Sequence, residues 1–235
     1  MKSLRIAGIL SIVVLAFVFG WNNLFVSKEE RSVEPFHAIY AEGPINVFIE
    51  QAETASIGVK ADTNILEKVK TEVVDGELRI YTEGPISGER VLDVYVTFVS
   101  VDTVHGAKQS TITGRGTIRA PKLKIKASGS SELKLLIESE ATDLIMNDNA
   151  NVQLAGTTQI LDVLITKVGD LMAYNLISQD CKIVVDTGDQ SPGIARINVQ
   201  ESLDVTIKGP RHVKYKGDAE VIQESIEGTG KLIKH

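Results

Sequence analysis

Beyond Phe36 the chain alternates apolar and polar residues with a period of two. Ile45, Val47 and Ile49 alternate with Asn46, Phe48 and Glu50 after a Gly43-Pro44 turn signal. This predicts a strand with one buried face, because successive side chains of a strand point to opposite sides. A second short strand is predicted over Ile57 to Ala61, and a single helical turn over Asn64 to Val69. Lys70 to Val74 and Glu77 to Thr82 read as a β-hairpin, since the intervening Asp75-Gly76 accepts the positive φ angles of a tight two-residue turn. Val91 to Val99 alternates again, with Leu92, Val94, Val96 and Phe98 on one side.

From Lys122 to Gly217 the alternation becomes a repeat. Polar or Gly-bearing corners recur at Ser128 to Glu132, Asn147 to Asn151, Thr166 to Asp170 and Lys208 to His212, with starts 19, 19 and 42 residues apart. The last gap holds another corner starting at Asp186, which needs two extra residues around Gln190 to Gly193, and further copies sit at His105 to Gln109 and Glu227 to Lys231. Ahead of the corners stand three apolar columns. The first is Leu123, Thr142, Leu161, Cys181, Leu203 and Ile222; the second Ile125, Leu144, Val163, Ile183, Val205 and Glu224; the third Ala127, Met146, Ile165, Val185, Ile207 and Ile226. Lys124, Lys126, Asp143, Asp162, Lys182, Asp204 and Thr206 fall between them and belong outside. Apolar columns resume after each corner, as in Leu133 and Leu135 or Val152 and Leu154. A coil of about 19 to 22 residues cannot bury its own apolar face, whereas stacked coils share a continuous core. The pattern therefore predicts an all-β parallel β-helix with a β-rich N-terminal section, and no long amphipathic helix.

Composition narrows the setting. The 235 residues are 43% hydrophobic, enough for a substantial core, and 25 basic against 31 acidic residues give a net charge of −6. That balance, with no basic block, speaks against nucleic acid as a partner. Residues 1 to 20 carry Lys2 and Arg5 ahead of an apolar run from Ile6 to Phe19, which fits a signal peptide; extension through Val26 makes residues 6 to 26 an alternative membrane anchor. Residues 21 to 35 read as a tether and 36 to 235 as the folded body. Membrane contact is expected only through residues 6 to 26, if they are retained. Cys181 is the single cysteine, so no intramolecular disulfide forms, and its inward column makes it a small hydrophobe.

Candidate chemistry is sparse. His37, His105, His212 and His235 form no ligand spacing, and no phosphate loop, nucleophile elbow or dinucleotide fingerprint is present, so no metal or cofactor is expected. The corner holding Asn147, Asp148, Asn149 and Asn151 could bind calcium or hydrogen-bond a sugar, yet it offers a single carboxylate, and Asn and Asp also favour left-handed turn positions. Asp143 and Asp162 share an outward column on successive coils, about 4.8 Å apart, near the carboxylate spacing of a retaining glycosidase. Outward charge at alternate positions is also what any solvated sheet shows.

Gly43 to Ile49, Val59 to Asn64, Asp75 to Ile80, and above all Glu201 to Gly209 followed by Val213 to Gly217, resemble the auto-transporter adhesin, head GIN domain family of bacterial envelope proteins, over roughly residues 36 to 233. The resemblance implies a right-handed β-helix, export to the periplasm, cell envelope or cell surface, and no catalytic residues. Ala150 and Arg211 depart from the family's second corner glycine, and Asp148 and Lys167 from the first. The expected function is non-enzymatic adhesion or binding of a glycan or envelope protein. A β-helical polysaccharide-degrading enzyme and a membrane-tethered structural or signalling accessory are the alternatives.

Overall fold

The computed structural model describes residues 26–86, 92–188 and 193–235. The signal peptide or anchor expected within residues 1 to 26 lies outside them except for Val26, as do residues 190 to 192 of the expected insertion. Among the described residues no helix is long and apolar enough to cross a membrane.

The chain runs β1 (Val26–Arg31), β2 (Ala38–Glu42), β3 (Asn46–Gln51), β4 (Ser56–Asp62), α1 (Thr63–Leu66), β5 (Val69–Val74), β6 (Glu77–Thr82), β7 (Leu92–Phe98) and β8 (Thr103–Ala107). Five long strands follow: β9 (Thr111–Ala127), β10 (Glu132–Met146), β11 (Asn151–Ile165), β12 (Leu171–Asp186) and β13 (Ile194–Lys208). Three short ones close it: β14 (His212–Lys216), β15 (Glu220–Glu227) and β16 (Lys231–Lys234). The result is a β-solenoid of about 6 turns.

Within a long strand the buried parity switches. In β10, Leu133, Leu135 and Ile137 point inward, and then Thr142, Leu144 and Met146 do. Such a switch marks a bend, so each coil has a first wall before the bend and a second wall after it. Coils stack in parallel register, Leu133 on Val152 and Leu144 on Val163, then Val152 on Leu171 and Val163 on Ile183. The expected columns are the core: Leu123, Leu161, Ile183, Leu203 and Val205 are fully buried. Each such side chain contributes roughly 1.5–3 kcal/mol by leaving water. Cys181 stacks between Leu161 and Leu203 at 3% exposure, and burial pushes its thiol pKa up, away from reactivity.

Two devices let the coils close. At the bend Gly156 has φ +109°, and a Cβ there would lie 1.9 Å from the Ile137 carbonyl oxygen. Beside it, the buried hydroxyls of Thr142 and Thr158 satisfy each other and Ser139, with Ser139 Oγ 2.7 Å from Thr142 Oγ1 and 3.0 Å from Thr158 Oγ1. Thr142 therefore sits in an apolar column without an orphaned donor.

The N-terminal section is built differently. β4 pairs antiparallel with β1 and β7, and β5 with β6 around Asp75 (φ 52°) and Gly76 (φ 76°), the tight hairpin turn expected. β3 and β8 then join β9 in parallel and hand the sheet over to the coils.

Three expectations are corrected. Residues 26 to 31, read as part of the tether, form strand β1, held by its backbone ladder and by Arg31, whose Nη1 donates to the Val69 carbonyl at 2.8 Å; a strand whose ladder does the holding shows no apolar periodicity. Val221, not Ile222, continues the Leu203 column, because the register slips there and leaves Ile222 63% exposed. His105, read as a corner residue, belongs to β8; the left-handed corner residues are Lys108 (φ 47°) and Gln109 (φ 72°).

Candidate functional site

The registers that stack the inner columns also align the outer positions of the second wall into rows. One row runs Lys124, Asp143, Asp162, Lys182, Asp204. Beside it runs Lys126, Ile145, Leu164, Val184, Thr206. Together they line a shallow open depression on Lys124, Asp143, Ile145, Asp162, Leu164, Lys182 and Val184.

The structure thus brings Asp143 and Asp162 together as direct neighbours on adjacent strands, as their spacing predicted. Asp143 is held by Lys122, Nζ to Oδ2 3.2 Å, and Asp204 by Lys182 at 3.9 Å, while Asp162 is exposed. These partly solvated pairs are each worth at most about 1 kcal/mol, so the row's charge remains available to a ligand.

The polar corner does not converge on this depression through its side chains. Asn147 Oδ1 accepts from Thr166 Oγ1 at 2.5 Å, and Asn151 Oδ1 accepts from the Asp170 backbone N–H at 3.0 Å. Asp148, at φ 56°, pairs with Lys167 at 3.4 Å, and Asn149 is exposed at the tip. Three of the four residues tie one corner to the next.

What the sequence reading missed is the apolar row. Its signal is a break in alternation, three consecutive apolar residues at Leu144-Ile145-Met146, Val163-Leu164-Ile165 and Ile183-Val184-Val185. The middle residue of each faces out, and Leu164 is 37% exposed.

The remaining candidates are dispersed. His37 pairs with Asp102 at 3.2 Å, His105 packs edge-on against Tyr40 with centroids 4.9 Å apart, and His212 opens β14. Among the described residues no group of three or more His, Cys, Asp or Glu side chains is placed to hold a metal ion. Arg211, the residue replacing a corner glycine, is fully buried; its guanidinium fills the place of a Cβ on Gly193, 2.4 Å away, and donates to the Gly169 carbonyl. Burial pushes its pKa down, against the pull of Asp170.

Fold and faces define a parallel β-solenoid whose outer walls are open among the described residues. The chain belongs to the family described as "Putative auto-transporter adhesin, head GIN domain", whose model matches residues 35–219. A "putative adhesin" from Bacteroides fragilis is similar with a TM-score of 0.80 at 18% identity, over 89% of this chain and 97% of its own. A "putative adhesin" from Parabacteroides merdae gives 0.69 at 22% identity, over 91% and 97%. A "Putative lipid binding protein" from Parabacteroides distasonis gives 0.67 at 18%, over 91% and 98%. No curated protein matches the chain.

Proposed function

We propose that the protein is a non-enzymatic component of the bacterial envelope or surface that binds a glycan or another envelope component through the second wall of its solenoid. The observation that carries this reading is the apolar row of Ile145, Leu164 and Val184 lying beside the charged row of Asp143, Asp162 and Lys182. An apolar strip offers contact to a sugar's ring face, and flanking charges offer hydrogen bonds to its hydroxyls. The family's adhesin description agrees with a surface binding role. Against hydrolysis stand the open wall, which leaves the carboxylates in bulk solvent and does not enclose a scissile bond, and the engagement of Asp143 by Lys122.

The test is an array of envelope polysaccharides and envelope proteins probed with the full chain in detergent micelles. Binding to at least one component is expected, with a loss of about tenfold or more in Leu164→Lys, a change at an exposed position. No bound component, or equal binding by the variant, would overturn the reading. Shortening of the bound polymer, lost in Asp162→Asn, would establish the enzyme alternative instead.

A further inference from the structure

The first wall carries a second, differently charged surface at the C-terminal end. β14 (HVKYK) and β16 (KLIK) together turn three lysines outward, Lys214, Lys216 and Lys231, and hold no acidic residue, whereas β15 (EVIQESIE) on the second wall holds three glutamates and no lysine or arginine. On the neighbouring strand Arg196 stands in direct register with Lys214. Elsewhere, cations meet carboxylates across strands, as Lys122 meets Asp143, Lys182 meets Asp204 and Arg119 meets Glu138. Arg196, Lys214, Lys216 and Lys231, on the outward side of these strands, have no ion-pair partner among the described residues, while Lys234 stands in register with the inward Tyr215 and lies over its ring, Nζ 5.8 Å from the centroid. Like charges placed opposite each other on a sheet are destabilising, and a chain of net charge −6 has carboxylates to spare.

An aromatic element lies on the same surface. The half-exposed Tyr174 ring stacks on His235, centroids 5.7 Å apart and planes at 13°, with Lys216 Nζ 5.5 Å from its centroid. Beside it, Met172 of the Arg196–Lys214 row is 44% exposed.

We propose that this cationic wall binds an acidic polysaccharide, a linear glycan carrying carboxylate or phosphate groups. Strands about 4.8 Å apart, with outward residues about 6.8 Å apart along each strand, spread the cations as a grid on the scale of single sugar units. A repeating polyanion can answer several of them at once, while Tyr174 and Met172 supply contact for ring faces. A bilayer is the poorer fit. Surfaces that dock on lipid insert several large apolar residues among their lysines. The sheet order also places β14 and β16 at the end opposite β1, which follows the apolar run of residues 6 to 26. The proposal rests on the reading above, of a protein that binds envelope polymers, and assigns it a distinct wall and a ligand charge.

The experiment compares full-length protein in detergent micelles with its Lys214→Gln/Lys216→Gln/Lys231→Gln variant and with a Glu220→Gln/Glu224→Gln/Glu227→Gln control. The probes are polygalacturonate, a glycerol-phosphate polymer, neutral dextran, and vesicles of phosphatidylglycerol in phosphatidylcholine. Binding to one of the two acidic polymers is expected, weakened about a hundredfold in the lysine variant at low salt and unchanged or tightened in the glutamate control. The slope of log affinity against log salt should also become shallower by roughly two. Absence of acidic-polymer binding at low salt, equal binding by the lysine variant, or tighter binding to the vesicles than to either polymer would each overturn the proposal. If the lysine variant binds the acidic polymers as tightly as the wild type while Leu164→Lys loses its component of the envelope array, the second-wall reading stands and this one falls. If neither wall's variants alter any binding, both fall.

Discussion

The coils and the N-terminal section solve the same problem, an open stack of strands, by opposite means. From β9 onward the solenoid is held by repetition: each coil lays the same apolar columns on the last, in parallel, with few specific polar contacts inside. The N-terminal section keeps parallel pairs, β2 with β6 and β8 and β3 with β7, but reverses direction at its outer strands. β4 runs antiparallel to β1 and β7, β5 to β6, and discrete bonds fasten the end, with Arg31 reaching the Val69 carbonyl at 2.8 Å and Thr71 Oγ1 at 3.1 Å. A parallel stack propagates because every coil presents the edge it received, so antiparallel strands and side-chain clamps are what bring it to a stop. The coils should therefore fail globally when broken, and the end should fail locally.

The sharpest break is expected in the coils at Gly156. Valine there would place a Cβ 1.9 Å from the Ile137 carbonyl at a φ of +109°, where L-residues are strained. We expect Gly156→Val to destabilise by more than about 4 kcal/mol, seen as loss of the cooperative urea transition or of soluble protein. Leu161→Ala comes next, at about 2–5 kcal/mol, because its column neighbours are fixed above and below and cannot collapse into the cavity. For Leu161→Ala, native-state hydrogen exchange should show protection lowered across β9 to β13 together. Protection lost in one coil alone would contradict the shared core.

Much of this contrast was legible in the chain. Inner columns are legible because burial forces the same residue class at a fixed period, and Leu161, Ile183 and Val205 declare themselves by spacing alone. The Asp75-Gly76 hairpin was legible because only a few residue pairs tolerate two positive φ angles. Strand β1 was not: Lys28, Glu29 and Glu30 look like a solvated tether, and their pairing with Lys60, Val59 and Gly58 is made by backbone groups that leave no mark on composition. Of the outer surface, the Asp143–Asp162 adjacency follows from the repeat length. The Ile145–Leu164–Val184 row was hidden inside runs that read simply as core, and the cationic wall needs β14 and β16 to be adjacent, although two corners and all of β15 separate them in sequence.

At the N-terminal end the effects should be smaller and confined. Arg31→Met removes the bonds to Val69 and Thr71 while keeping most of the stem's packing, and should cost about 1–2 kcal/mol. Exchange should accelerate in β1 and β5 with the coils unchanged. Cys181→Ser offers the matching minor change within the coils: a buried hydroxyl in place of a thiol between Leu161 and Leu203, costing about 1–3 kcal/mol, felt by all the coils and leaving both walls' binding intact. If Arg31→Met loosened the coils as well, the two regions would be one cooperative unit.

The least effect is expected where the two constructions meet. His105 of β8 lies between Tyr40 of β2 and Lys126 of β9, in register with both. Burial, and then the Lys126 charge, lower its pKa from the ordinary value near 6.5. A group that is harder to protonate when folded leaves the native state fully stable above that ordinary value and weakens it as pH falls through the lowered folded value. Urea midpoints should therefore drop on acidification from pH 7.5 toward 5, and His105→Gln should flatten the part of that slope due to this residue. The difference in slope between wild type and variant isolates the seam. An identical slope in the variant would mean that the handover from antiparallel end to parallel coils does not register the charge of His105.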